Sequence, residues 1–596
     1  MIRRCTFERA VRLVEDCGAA GTVEDLMRPA GKGGRPRQIT FAVFLAAVIC
    51  SVGEEPNLSL VRVHKTLTSE LAYSFQVALN VVDRRTGQTL TLRQVRYMLE
   101  ALERKLAHGQ RRAPDLSDAE RESRAGALQH VIDMLVGATI PDHLPAPGAY
   151  ALDGTAIESW ARGCGRRTVD PNADHADDGA ADTRPAVDDP STAGTVVSFD
   201  VDAEYGYQTK TYDNKSSHCF GYHAFALVGV PPVGADPDSW PKLVERLAVR
   251  PANANAVEPS MGMLDSMLQV GRPVTELLSD REFSYKREET WAIPLRERGI
   301  SQVIDMHAGD RGVRDHDGVA MIDGVPHCRA VMGDRFDVLE RIPRPANLSA
   351  GTLKQGATAQ ERADHQARTG EIDAFRALIA ERQVAAFRRV AGPDESGKER
   401  YECPAQAGKV ICGNCPFSQD LPAGTPVVAR PHVVPELPVE PVRPAKDAAK
   451  ADRESYAGAK ADWDRQGDFL RCCRQRTITI AGAVVAKVRQ PLAWGSDAWI
   501  DSYSRRTHVE GIFGNVKSAK TADLQRGWIF IVGMVKTSLM LAAVAVATNI
   551  RLLRKWAART GDRVHALCAV DPVDHGFEER DADGNPDLAL APPVEA

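Results

Sequence analysis

The amino-acid sequence predicts an α/β protein: a mixed sheet with helices, an all-α region ahead of it and an inserted domain within it. Three observations lead there. Residues 1–112 carry apolar side chains at helical spacing. Between 149 and 310, strand-like apolar runs alternate with helical segments, the pattern of an α/β core. From 311 to 490 that rhythm breaks, and it resumes only at 491–560. With 596 residues and 43% apolar side chains, the chain can bury several cores, which excludes wholesale disorder and a small disulfide scaffold.

Taken in order, the apolar run 39–50, the segment 69–79 and the segment 91–106, with threonines placed to cap it, build the N-terminal region. Gly-Lys-Gly-Gly-Arg-Pro-Arg at 31–37 is a flexible basic linker that could also enter a DNA minor groove. A charged helix and a proline-rich connection fill 113–148. A strand-like segment then ends at Asp153, with Gly154 and Thr155 turning the chain. Acidic loop follows at 165–195, then strands at 196–201 and 222–230, a helix near 260–270 and a strand at 274–279 that ends at Asp280. A helix at 288–298, shortened or kinked by Pro294, leads to a strand at 302–306. The inserted region holds strand-like residues at 319–325, a charged helix at 358–390, the cysteine cluster, the proline-rich stretch 421–445 and a strand at 477–488. Two helices, 501–522 and 527–557, close the core, and an acidic tail occupies 561–596.

The formal net charge of -5 conceals a strong segregation. Residues 1–112 hold 18 Lys/Arg against 11 Asp/Glu, and residues 500–560 hold 10 against 3, each a local net of +7. Residues 165–204 and the tail 571–596 are each -7. Two basic regions keep a polyanionic partner in view despite the acidic total. Twelve scattered cysteines do not make a disulfide framework, and the N-terminus lacks the apolar stretch of a signal peptide. The long apolar stretch 529–550 contains Lys536 and Asn549, so it reads as a buried helix and not a membrane span. A cytoplasmic protein without a membrane partner is expected.

Three acids stand out. Asp153 and Asp280 each end an apolar run, where a carboxylate is held rigidly enough to converge on a metal. Glu510 lies in a segment where Tyr503, Arg506, Glu510 and Lys517 step by three, four and seven residues, one face of a helix. A carboxylate between two cations suits a site in which an acid binds metal while the cations hold phosphate. Taken singly, a strand-end Asp is more often a turn residue and a charged helix face a solvated one.

Together these residues resemble a known family. Tyr503, Arg506, Glu510 and Lys517 fit the Y-(2)-R-(3)-E-(6)-K signature of bacterial insertion-sequence transposases with a DDE triad. Leu152-Asp153-Gly154-Thr155 and Leu278-Ser279-Asp280-Arg281 are similar to that family's first and second aspartate motifs, and Asp202-Ala203-Glu204-Tyr205-Gly206 with Gly221-Tyr222-His223 to the strand pair between them. The likeness covers about 150–310 and 495–555. Glu282-Phe283 follows Arg281 where the family more often has Gly-Tyr, which keeps Glu282 and Glu158 as alternative acids. The resemblance implies a ribonuclease-H-like core with Asp153 on its first strand, Asp280 after its fourth and Glu510 on a C-terminal helix. It further implies two Mg²⁺, replaceable by Mn²⁺, held about 4 Å apart by Asp153, Asp280 and Glu510. Tyr503, Arg506 and Lys517 would contact DNA phosphates. The implied partners are the element's terminal inverted repeats, bound by residues 1–112, target DNA, and a second copy of the chain in a homodimer or higher oligomer on DNA. A nuclease without strand transfer and a catalytically silent DNA-binding descendant are the alternatives.

Two further patterns belong to the inserted region. Cys403, Cys412 and Cys415 have zinc-ligand character, with Cys472 or Cys473 as a fourth ligand of a candidate structural Zn²⁺; free loop cysteines are the alternative. Gly392, Gly397 and Lys398 imitate a phosphate loop, but Glu399 stands where Ser or Thr is required and no apolar strand precedes it.

Overall fold

The computed structural model describes residues 4–28, 37–54, 58–163, 198–209, 216–316, 319–394, 397–405, 407–410, 441–445, 447–465, 477–518, 522, 524 and 530–561. The basic segment 31–36, the acidic stretch 165–195, Cys412, Cys415, Cys472, Cys473, residues 421–440, Lys520, Arg526 and the tail 571–596 lie outside the described residues. The protein is mixed α/β and divides into two compact units, Met1–Val274 with Arg506–Ala596, and Thr275–Arg505. The second unit therefore takes in more than the expected insertion of 311–490.

The first unit opens with helices Arg4–Asp16, Ala19–Met27, Phe41–Glu54, Leu60–Lys65, Tyr73–Ala78 and Leu92–Leu106. The expected threonine cap is present: Thr91 accepts from the Gln94 amide while the Gln94 side chain accepts from the Thr91 amide, which satisfies two donors that the helix leaves over. Helix Asp118–Gly137 leads to β1 (Gly148–Glu158), followed by β2 (Glu204–Thr209), β3 (Ser216–Gly229) and β4 (Val244–Pro251). The long strand β3 pairs antiparallel with β2 through its first half and with β1 and β4 through its second. The strand expected at 196–201 is not formed at 198–203, where the chain turns, and pairing begins at Glu204.

Apolar patterning alone misses β4, because Glu245 and Arg246 interrupt it. Both are buried, and distant partners satisfy them. Arg272 donates to the two Glu245 oxygens at 2.6 and 3.0 Å, and Arg246 Nε donates to Ser266 Oγ at 2.9 Å. With β4 counted, Asp280 follows a fifth strand and not a fourth.

The apolar stretch forms helix Met534–Thr560, which is 72% buried over its most apolar 18 residues and packs on Phe41–Glu54, Asp118–Gly137 and β4. Its Lys536 is paired with Glu103 at 2.5 Å. Its first amides have partners from elsewhere in the chain: Gly533 N donates to Asp200 Oδ1 and Met534 N to Asp202 Oδ2, both at 3.1 Å. Arg112 stands among Asp202 at 3.1 Å, Glu103 at 3.6 Å and Asp200 at 3.9 Å. Asp200 also accepts from Tyr222 and Ser159 hydroxyls at 2.7 and 2.6 Å.

In the second unit β5 (Val274–Ser279) and β6 (Ser301–Ile304) pair in parallel. Between them in sequence is the short helix Ala292–Glu297, which contains Pro294 and falls short of the expected 288–298. Two antiparallel three-stranded sheets follow, β7 (Val313–His316) to β9 (Val325–His327) around β8 (Val319–Ile322), and β10 (Arg388–Ala391) to β12 (Thr477–Ile480) around β11 (Glu399–Glu402). The charged helix is Ala359–Val384 and stops short of 390, because β10 already begins at Arg388. Gly392 and Gly397 lie in the turn between β10 and β11, so the phosphate-loop look-alike joins two strands of a hairpin.

Asn549 shows how a polar residue in the apolar helix fixes the first unit. Its Oδ1 accepts from Val244 N at 2.9 Å, and its Nδ2 donates to Val244 O and Thr139 Oγ1, both at 2.7 Å. Asn549→Leu keeps the branched outline but strands the Val244 amide and carbonyl in a dry core. The expected loss is about 2–4 kcal/mol, read as a lower urea midpoint at unchanged slope. An unchanged midpoint would show that these bonds do not hold the helix to β4.

Candidate active site

Asp153 lies inside β1 and not at its end, contrary to expectation. The turn read at Gly154 and Thr155 is absent because residues 153–155 remain paired with 226–224 of β3. Gly154 allows this: a Cβ there would come within 2.8 Å of Cε1 of the buried Phe225 ring. The Gly154 amide donates to Asp153 Oδ1 at 2.8 Å, leaving Oδ2 for other partners.

Helix Thr507–Lys517 lies on β1 and β3 and buries Val509, Ile512 and Val516 against them. That packing places Arg506, Glu510 and Lys517 relative to Asp153. Arg506 Nη2 donates to Glu510 Oε1 at 2.6 Å, and its Nη1 is 3.7 Å from Asp153 Oδ2. The first and third acids of the predicted triad thus gather around one guanidinium.

Lys517 closes the helix. Burial lowers its pKa, against the opposing pull of Cys219, Glu158 and Asp153. The same neighbourhood pushes the Cys219 thiol up to about 11, through burial first and then Glu158, with Lys517 opposing. Cys219 is therefore a thiol at neutral pH and no thiolate nucleophile.

Asp280 belongs to the second unit. It follows β5 as expected and caps the turn Arg281–Tyr285 by accepting from the Glu282 amide at 3.1 Å. The alternative acid Glu282 is engaged with Lys286 at 2.8 Å. Arg281 pairs with Asp305 at 2.5 Å, and burial, which disfavours its charge, is outweighed by that carboxylate. Asp305 also accepts from Trp494 Nε1 and pairs with Arg344, both at 3.1 Å. Asp305 follows the end of β6 as Asp280 follows β5, but the strand expected at 302–306 runs through it, so its strand-end place is visible only in the structure. Tyr503, also in the second unit, stacks on Trp499 with centroids 4.7 Å apart and planes 9° from parallel.

The single helix face expected from 503 to 517 is interrupted. Helix Asp497–Ser504 ends, and Thr507–Lys517 begins, at Arg505 and Arg506, whose backbones stay right-handed helical while the ladder breaks. Arg505 turns inward to pair with Glu276 and to donate to Ser502, which fixes the break.

Comparison of the chain with protein-family models, curated proteins and solved structures finds no match. The chemistry of the site therefore rests on its own residues. Among the described residues no three His, Cys, Asp or Glu side chains form a ready metal group. Asp153 and Glu510 are nonetheless hard oxygen donors of the kind that Mg²⁺ takes, and Mg²⁺ sites commonly use one or two carboxylates and complete themselves with substrate phosphate. Both carboxylates face Arg506 in this structure. Of the zinc candidates, Cys403 is buried in an apolar cluster with Val319, Met321, Ile478 and Ile480, and the other cysteines lie outside the described residues.

Lys517 yields a test of the electrostatics. It is a base whose folded pKa lies below its ordinary value of 10.5. The unfolded chain then binds more protons between the two values, so stability climbs as pH rises through that window and the cost is fully felt below it. Lys517→Met should raise the melting temperature at neutral pH, with the gain shrinking as pH approaches 10.5. A variant melting lower than the parent at every pH would mean that the nearby carboxylates outweigh burial.

Proposed function

We propose that the chain is a DNA transposase of the DDE type, with a ribonuclease-H-like core, that cuts its element's ends and joins them to target DNA. What carries the reading is the meeting of Asp153 and Glu510 around Arg506, since motifs chosen far apart in sequence come to one guanidinium. The basic segments support a polyanionic partner.

The residues divide the work. Asp153 and Glu510 would hold Mg²⁺ or Mn²⁺; Asp280 is the third acid by the resemblance alone. When bound, such ions activate a water or a 3′-hydroxyl and stabilise the leaving oxygen of an in-line phosphoryl displacement. Arg506 keeps the two carboxylates in place and can exchange Glu510 for a phosphate oxygen, a bidentate match for its fork. Lys517, half-buried near Glu158 and Asp153, supplies a point charge for a neighbouring phosphate. Tyr503, fixed by its stack on Trp499, presents a hydroxyl to the backbone of the cleaved end. Residues 1–112 would recognise the terminal repeats, and a homodimer or higher oligomer in the cytoplasm would pair two ends.

Asp153→Asn, Asp280→Asn and Glu510→Gln are each expected to lower Mg²⁺-dependent cleavage by about 10³-fold or more while leaving DNA binding unchanged. The substrate is a plasmid carrying the DNA that flanks the coding region, with cleaved and joined products resolved on gels and binding read by mobility shift. Cleavage that survives in any one variant removes that residue from the site. Hydrolysed ends that never join would favour the nuclease reading.

A further inference from the structure

The second unit encloses a cavity of about 400 Å³, within the size range of small-molecule sites. Arg296, Arg389, Arg489, Glu399, Tyr401 and Phe387 are among the residues that line it. Three guanidiniums therefore meet a single carboxylate, and that carboxylate is already engaged. Glu399 Oε1 accepts from Arg389 Nη1 at 2.9 Å, and its Oε2 accepts from the Tyr401 hydroxyl at 2.9 Å and pairs with Arg489. Arg489 is almost fully buried and donates its Nη1 to Ala481 O at 2.7 Å, so it belongs to the wall.

Arg296 is different. Its ion-pair partner among the described residues is Glu399 Oε2 at 3.9 Å, beyond hydrogen-bond length. Burial disfavours its charge, the Arg489 cation adds to that, and Glu399 compensates only in part. A guanidinium does not escape by losing its proton, so the wall keeps a surplus of two positive charges inside a partly desolvated hollow. Arg389 is half-exposed and can turn toward an incoming anion without breaking the core.

We propose that this cavity binds a phosphate monoester of nucleotide size, its phosphate held by Arg296 and Arg389 and its organic part lying against Phe387, Tyr401 and Pro393. A monoester carries about -1.5 to -2 charges at neutral pH, which matches the surplus, where a carboxylate supplies half of it. The guanidinium fork fits phosphate oxygens in pairs. The cavity is larger than a bare anion needs, and Phe387 and Tyr401 supply apolar wall for more. The site uses none of Asp153, Asp280 or Glu510 and stands whether or not the chain moves DNA.

The test is calorimetry on the full chain with AMP, with inorganic phosphate, and with a short 5′-phosphorylated oligonucleotide beside its unphosphorylated twin. AMP is expected to bind at one site, more tightly than inorganic phosphate. Arg296→Gln and Arg389→Gln should each weaken it about 10-fold or more, and Arg296→Lys should recover part of the loss. Asp153→Asn protein should bind AMP as the parent does, which keeps this result separate from the phosphoryl-transfer reading. Displacement of AMP by the phosphorylated oligonucleotide alone would identify a DNA end as the source of the phosphate, and displacement by neither oligonucleotide a free nucleotide. Absence of AMP and phosphate binding at millimolar concentration overturns the proposal. So does AMP binding that is unchanged in Arg389→Gln, a half-exposed position, once circular dichroism has shown that variant to be folded.

Discussion

Two buried aspartates, Asp200 and Asp202, hold the first unit together by doing the work of a helix cap from a distance. They accept the first amides of the helix Met534–Thr560, which has no capping side chain of its own. Negative charge at that end also complements the helix dipole. Such charges are costly in a core unless neutralised, and Arg112 neutralises them: burial opposes its cation, but Asp202 and Glu103 outweigh burial and hold it above its ordinary value. Lys536 completes the network through Glu103. The N-terminal helices, strand β3 through Tyr222 and the C-terminal helix are all tied to this one set of charges, and β1 and the helix that carries Glu510 pack on the framework it fixes.

On that framework the site in the first unit is a balance between cations and acids. Arg506 stands between Asp153 and Glu510 and contacts both carboxylates. Glu510 is nearly half-exposed, so it can reorganise at small cost, whereas Asp153 is anchored by its strand and by the Gly154 amide. One acid of the pair is therefore rigid and the other adjustable.

Much of this was legible in the sequence, and the misses have physical causes. Helices with local signals, such as the Thr91 cap and the charged run from Thr358, were readable because capping and periodicity act within a few residues. Strand β4 was not, because Glu245 and Arg246 are satisfied by Arg272 and Ser266, partners that only the fold brings close. The extent of β1 past Asp153 was hidden for the same reason: Gly154 reads as a turn residue until the ring that faces it is known. Asp153, Arg506 and Glu510 are legible as a pattern, and the proximity of Arg506 to both acids depends on the packing of Val509, Ile512 and Val516, which a helical face does predict. The break at Arg505 was not legible, since both arginines keep helical backbone angles and the interruption comes from the inward pull of Glu276.

Gly154 carries a consequence for how relatives of this chain should be read. Its place is closed to any side chain by the face of Phe225, a matter of room and not of reactivity. In a set of diverged sequences it would stay as constant as Asp153 beside it, yet the two constancies would have different origins. The informative signal would be covariation: a smaller residue at 225 should free position 154 to drift, while nothing at 225 should free 153. Descendants that lose the acid but keep the glycine would then be recognisable as folded relics of the same architecture.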